Sequence, residues 1–185
     1  MALKKLIPDA TEPANFGKPY GTILIRLFAG ACMFGAGIEK ATNQWWATSH
    51  AAFSAAGFLK NSAGGGAFHA WFVSLAAPSA IGTVNLLVVA GEVLIGLAFV
   101  LGVFVRFAAI MGTIEVGLIW ITEYHPGTGT FYMGWSTGPL ELGAALICMF
   151  IVSSLIGGGL IYGLDSKIYQ LNFIKKHPKL KILLG

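Results

Sequence analysis

Charge is scarce along this chain. Aspartate, glutamate, lysine and arginine together make up 11% of its 185 residues, against about 25% in an ordinary soluble domain. Apolar residues reach 56% and the mean hydropathy is +0.74. A soluble globule of this size could not hide so much apolar surface, which excludes a soluble nucleotide-binding enzyme and leaves no basis for nucleic-acid binding. Cysteine is nearly absent: Cys32 and Cys148 stand alone, with no CxxC pair to hold a cluster or a redox disulfide. No histidine falls in an apolar stretch, which argues against a haem held between two membrane helices. Neither a phosphate-cradling glycine loop nor a clustered metal-ligand spacing is present. The expectation is therefore a chain with no metal and no resident cofactor.

What remains is apolar sequence rich in glycine, at 25 of 185 residues. Residues 1–19 read as an irregular interfacial arm, since no apolar core follows Lys4 and Lys5. A first span is predicted from Tyr20 to Glu39. Ile81 to Thr122 is a 42-residue run interrupted only by Asn85, Glu92, Arg106 and Glu115. As one helix it would reach about 63 Å, twice the ~30 Å hydrocarbon core, so it must fold back as a hairpin. The turn is expected at Gly102–Arg106, with Arg106 reaching the headgroups. A last span is predicted from Pro139 to about Tyr162. The fold class is thus all-α, an integral membrane four-helix bundle over residues 20–163.

With the N-terminus in the cytoplasm, that side collects Lys4, Lys5, Lys18, Arg106, Lys167, Lys175, Lys176, Lys179 and Lys181, and the other side only Lys40 and Lys60. This asymmetry places both termini in the cytoplasm and the chain in the cytoplasmic membrane as a multi-pass protein. Residues 164–185 form a basic amphipathic tail, read either as a solvated end that sets topology or as a docking segment. In the long outer loop, Phe68, Trp71, Phe72 and Leu75 recur at helical spacing. Trp45, Trp46, Phe53 and Phe58 flank a second helical stretch, with Gly64–Gly66 as a hinge. Two interfacial or re-entrant helices are expected there, the alternative being a plain aromatic belt.

Ionisable residues within spans are costly, so each is a functional hypothesis. Counting from the hairpin turn puts Glu92 and Glu115 at one depth near the bilayer middle. Two such carboxylates cannot both stay ionised cheaply, and Arg26 is the expected counter-charge. A purely structural salt bridge, a proton path and a quinone-headgroup site are all open for this layer. Glu39, Lys40 and Glu141, with His50, His69 and His125, make an outer layer that reads as an anion or substrate pocket or as ordinary surface.

The first span, Arg26-Leu-Phe-Ala-Gly30-Ala-Cys-Met-Phe34-Gly-Ala-Gly37-Ile-Glu-Lys40, resembles the R-x3-G-x3-F-x2-G-x2-K signature of the DoxX/DoxD membrane family. The hairpin, Glu92-x3-Gly96-x5-Gly102-x3-Arg106, is similar to that family's second-span acid and turn. Gly157 to Asp165 resembles its closing G-x-G…LD motif. The resemblance covers residues 20–166 and implies a membrane subunit of thiosulfate:quinone oxidoreductase type, with quinone as an exchangeable substrate and a second redox subunit as partner. Arg26, Lys40, Glu92 and Arg106 are its matching polar positions. On this reading Lys40 with His50 or His69 attracts the substrate anion, Trp45, Trp46 and Trp71 flank the quinone head, and Glu92 or Glu115 handles protons. Arg106 and Asp165 take structural roles. The competing readings are a non-catalytic accessory subunit of a larger respiratory or photosynthetic complex, packed through glycine faces, and a small proton channel or transporter.

Overall fold

A computed structural model describes residues 13–44, 54–61, 68–122, 124–125, 130–131 and 142–185. Among the described residues the regular elements are helical apart from a two-residue antiparallel ladder pairing β1 (Tyr124–His125) with β2 (Thr130–Phe131). The long helices are α1 (Pro13–Glu39), α4 (Ile81–Leu101), α5 (Val105–Thr122) and α6 (Leu142–Leu155). Two of them, within 19–42 and 81–101, are long and apolar enough to cross a membrane. At ~1.5 Å per residue, α4 spans about 32 Å.

α1 packs along α4, α4 along α5, α5 along α6, and α6 closes back on α1. The shared core holds Ala29, Met33, Ile95, Phe99, Val105, Ala108, Val116, Leu146 and Phe150. Phe99 and Phe150 meet at its centre with ring centroids 5.0 Å apart, and Gly112 leaves room for the Phe150 ring. The closest approach is between α1 and α4. A Cβ on Gly30 would come within 2.9 Å of the Val100 backbone nitrogen, and one on Gly37 within 2.8 Å of the Val93 nitrogen. Gly96 in turn lies against the Phe34 backbone. The R-x3-G-x3-F-x2-G-x2-K spacing is therefore one face of α1, laid on α4, with glycine wherever backbone meets backbone. These glycines serve packing within the chain, not a face offered to a partner.

The hairpin turn falls where the sequence predicts. Gly102 (φ +65°) ends α4 in the left-handed region, its N–H bonded to Phe99 O at 3.3 Å and the Val103 N–H to Ala98 O at 2.9 Å. This paired pattern closes a helix and needs glycine at that position. The same device stops α6. Gly157 (φ +72°) turns the chain and the Gly158 N–H bonds Ser153 O at 2.8 Å. The helix predicted to run to Tyr162 therefore ends at Leu155, and residues 156–164 fold as turns. At the other end, α1 begins at Pro13, the favoured first helical position, so 13–19 are helical where an irregular arm was expected.

Beyond α1, Lys40–Gln44 forms one π-helical turn. The short helices α2 (Ala55–Asn61) and α3 (His69–Leu75) match the two expected in the outer loop. Ala55, Leu59, Phe72 and Ala76 form a small cluster against Ile81 and Val84 of α4, and Asn85 Oδ1 accepts the Ala55 N–H at 3.0 Å. Of the predicted aromatic face only Phe72 is buried; Trp71, its ring 4.9 Å away, is 48% exposed. The Gly64–Gly66 hinge lies outside the described residues. After α6 the chain forms α7 (Asp165–Ile168), α8 (Asn172–Lys176) and a 3-10 turn (Pro178–Leu183).

Candidate functional site

Two polar clusters lie along the α1–α4 contact, one at each end of the glycine stripe. In the first, Lys40 Nζ donates to both carboxylate oxygens of Glu92, each at 2.7 Å. Glu92 is 4% exposed. Lys40 reaches it because Gly37, one helical turn earlier, presses against Glu92 and Val93. The α-helix ends at Glu39 and widens into the π turn at Lys40, a distortion that recurs at functional sites. Glu115 comes from α5, its carboxylate lying against Gly91, where a Cβ would be 2.6 Å from Oε2. It feels the charges of both Glu92 and Lys40. Among the described residues, Glu115 Oε1 is buried with no hydrogen-bond partner.

The hairpin count thus brings Glu92 and Glu115 together, as the sequence suggested, but the cation beside them is Lys40 rather than Arg26. Lys40 leaves the outer layer to which its place at the end of the first span assigned it. The reason is axial: α1 starts at Pro13 and sits displaced along α4, so its last residue lies level with the middle of α4 and not with its start.

Arg26 belongs to the second cluster. It is 3% exposed, and its Nη1 donates to Gly158 O at 2.8 Å and to Ile161 O at 3.2 Å. It lies within electrostatic reach of Asp165. The wholly buried Asp165 carboxylate accepts the Phe104 N–H at 2.7 Å, the Val105 N–H at 3.0 Å and the Gly185 N–H at 3.1 Å. Phe104 and Val105 begin α5, so Asp165 caps that helix from sixty residues away in the chain. Non-glycine residues with positive φ, Phe104 and Tyr162, flank this knot, held there by its hydrogen bonds. Arg106 donates from Nε to Ser154 O at 3.2 Å and packs against Gly185, a structural contact of the kind expected of it.

Glu39 is exposed, within electrostatic reach of Glu92. His69 is half-buried at the start of α3, and Trp71 lies beyond it on the same helix. Trp45, Trp46, His50 and Glu141 lie outside the described residues, and His125 is described only through its strand. Cys32 and Cys148 are free thiols, the second exposed. A residue with a clear role that the sequence reading passed over is Asn85, which holds α2; it carried a signal, as a lone amide in an apolar run. Gly91 was expected to permit close helix approach, and what it admits is the Glu115 carboxylate.

In comparisons with protein families, curated proteins and solved structures, no match to the chain was found.

Proposed function

We propose that the chain is a four-span protein of the cytoplasmic membrane, of DoxX/DoxD type, with both termini in the cytoplasm. On this reading it is the membrane subunit of a quinone-coupled oxidoreductase, most like thiosulfate:quinone oxidoreductase, and works with a partner subunit. The observation that carries the reading is the Lys40–Glu92–Glu115 cluster, with Glu92 buried and Lys40 and Glu115 partly so, between helices whose outer faces are apolar. Leu24, Leu87, Leu94, Ile114 and Leu155 are all exposed, as lipid-facing residues are. An ionisable cluster between such helices is a functional hypothesis by default. The fourth span consists of α6 with the turns after it. Its non-helical stretch suits membrane depth because Gly157–Gly159 is buried and Arg26 satisfies its carbonyls.

Reducing a quinone to a quinol takes two electrons and two protons. Electrons would come from thiosulfate through the partner subunit, since no resident redox centre is assigned to this chain. The protons are the task of this chain. Protonated Glu115, whose Oε1 is buried without a hydrogen-bond partner among the described residues, would hydrogen-bond a quinone oxygen, pass it one proton, and be reprotonated from water to supply the second. The Lys40 ammonium holds Glu92 and stabilises negative charge that develops beside it.

The experiment is thiosulfate-dependent reduction of a short-chain benzoquinone by the chain extracted in mild detergent with its copurifying partner. A Glu92→Gln, Glu115→Gln double variant is expected to lose about 100-fold or more in turnover, the usual worth of positioned acid–base groups. Unchanged turnover would refute the proton-handling role.

A further inference from the structure

The segment after α6 carries a surface that the quinone reading does not use. Residues 165–185 hold five lysines and a single acid, Asp165, and that acid is buried and committed to three backbone N–H groups. The segment is folded and anchored by Ile174, Leu184 and Gly185, all buried. The Gly185 carbonyl accepts the Gly159 N–H, which ties the tail to the turn that follows α6. Lys167, Lys175, Lys176 and Lys179 are exposed, and so are the large apolar side chains of Leu171, Phe173 and Ile182.

The two kinds of residue are interleaved. Phe173 and Lys176 are three apart on α8, and Lys179 and Ile182 three apart on the 3-10 turn, with Leu171 immediately before α8. Residues at these spacings share a face. Phe173 and Ile182 therefore each have an ammonium on their own face, the pattern of a segment lying in a bilayer interface with its lysines at headgroup level. Phe173 is further held by stacking on His177, ring centroids 4.6 Å apart.

Position selects the partner. The tail is bonded to the α4–α5 turn through Leu164 N–H to Leu101 O and Asp165 N–H to Gly102 O, so it sits where the apolar helices end. We infer that this face docks on anionic lipid headgroups of the cytoplasmic leaflet. The inference rests on the membrane reading above. An anionic lipid surface is the one acidic partner that this reading already places within reach. Each lysine near such a surface strengthens the attraction about fivefold.

The test is hydrogen–deuterium exchange of the full chain in nanodiscs of phosphatidylcholine, with and without added phosphatidylglycerol, at low salt. Amides of residues 167–183 are expected to exchange about tenfold more slowly when phosphatidylglycerol is present. A Lys175→Gln, Lys176→Gln, Lys179→Gln variant should lose that difference while α4 and α5 keep their protection, and the corresponding triple arginine variant should retain it. Equal tail exchange in the two lipids, the result that docking on an acidic protein would give, overturns the inference. So does a difference that survives in the glutamine variant. Failure of the membrane reading shows elsewhere, as loss of protection in α4 and α5 in both discs, and takes this inference with it.

Discussion

Replacing Lys40 by methionine keeps the length of the side chain and removes its charge. Lys40 Nζ makes two 2.7 Å bonds to Glu92, and charge-assisted bonds of this kind are worth about 1.5–3 kcal/mol each when a partner is left behind. Removing one member of a buried ion pair costs about 3–5 kcal/mol. The Lys40 side chain keeps 25% of its exposure, so water shares in its solvation and the low end, about 3 kcal/mol, applies. For a chain of this size each kcal/mol shifts the melting temperature by about 2–4 °C, which gives a fall of about 6–12 °C for Lys40→Met. The measurement is thermal unfolding in mild detergent, followed by circular dichroism. Because the loss arises from the carboxylate left without its cation, adding Glu92→Gln should recover about 2 kcal/mol. A Lys40→Met protein that melts with the wild type, or a double variant whose loss equals the sum of the single losses, refutes the pairing.

Two further outcomes follow from the packing. Gly37→Ala puts a methyl against the Val93 backbone nitrogen, which cannot turn aside; it should cost about 1–3 kcal/mol and, by parting α1 from α4 one turn before Lys40, lower quinone reduction as well as the melting temperature. Asp165→Asn keeps the volume but turns one acceptor into a donor facing backbone N–H groups, and thermal unfolding should register a loss of about 1–3 kcal/mol.

The hairpin was legible because a 42-residue apolar run is about twice the length of one bilayer span, and because Gly102 supplies the left-handed step that closes α4. The α1 stripe was legible too, as spacings of three and four from Arg26 to Lys40. The partners of Arg26 were not. They are main-chain carbonyls of the turns that follow α6, and a carbonyl leaves no trace in residue type. The cation beside Glu92 was misassigned for a related reason. Counting from the ends of each apolar run assumes that all spans are centred alike, whereas α1 is displaced along α4. Only the approach of Gly30 to Val100 and of Gly37 to Val93 reveals that displacement.

The two clusters use similar residues, and the bonding of their carboxylates tells them apart. Around Asp165, three N–H groups converge on one carboxylate and the Arg26 Nη atoms meet the carbonyls of the α6 terminus. Such a knot ties helix ends together, and its strained neighbours Phe104 and Tyr162 are held by the bonds it makes. Around Lys40 the bonding is incomplete. Glu92 is satisfied, but Glu115 brings a second carboxylate into the same space and leaves Oε1 without a partner. An orphaned buried oxygen costs about 1–3 kcal/mol, and an apolar side chain at position 115 would avoid that cost. A role in packing accounts for Asp165, although the Arg26 Nε beside it is also buried without a partner among the described residues; for Glu115 packing accounts for the cost and for none of the benefit, which is why we propose proton transfer there.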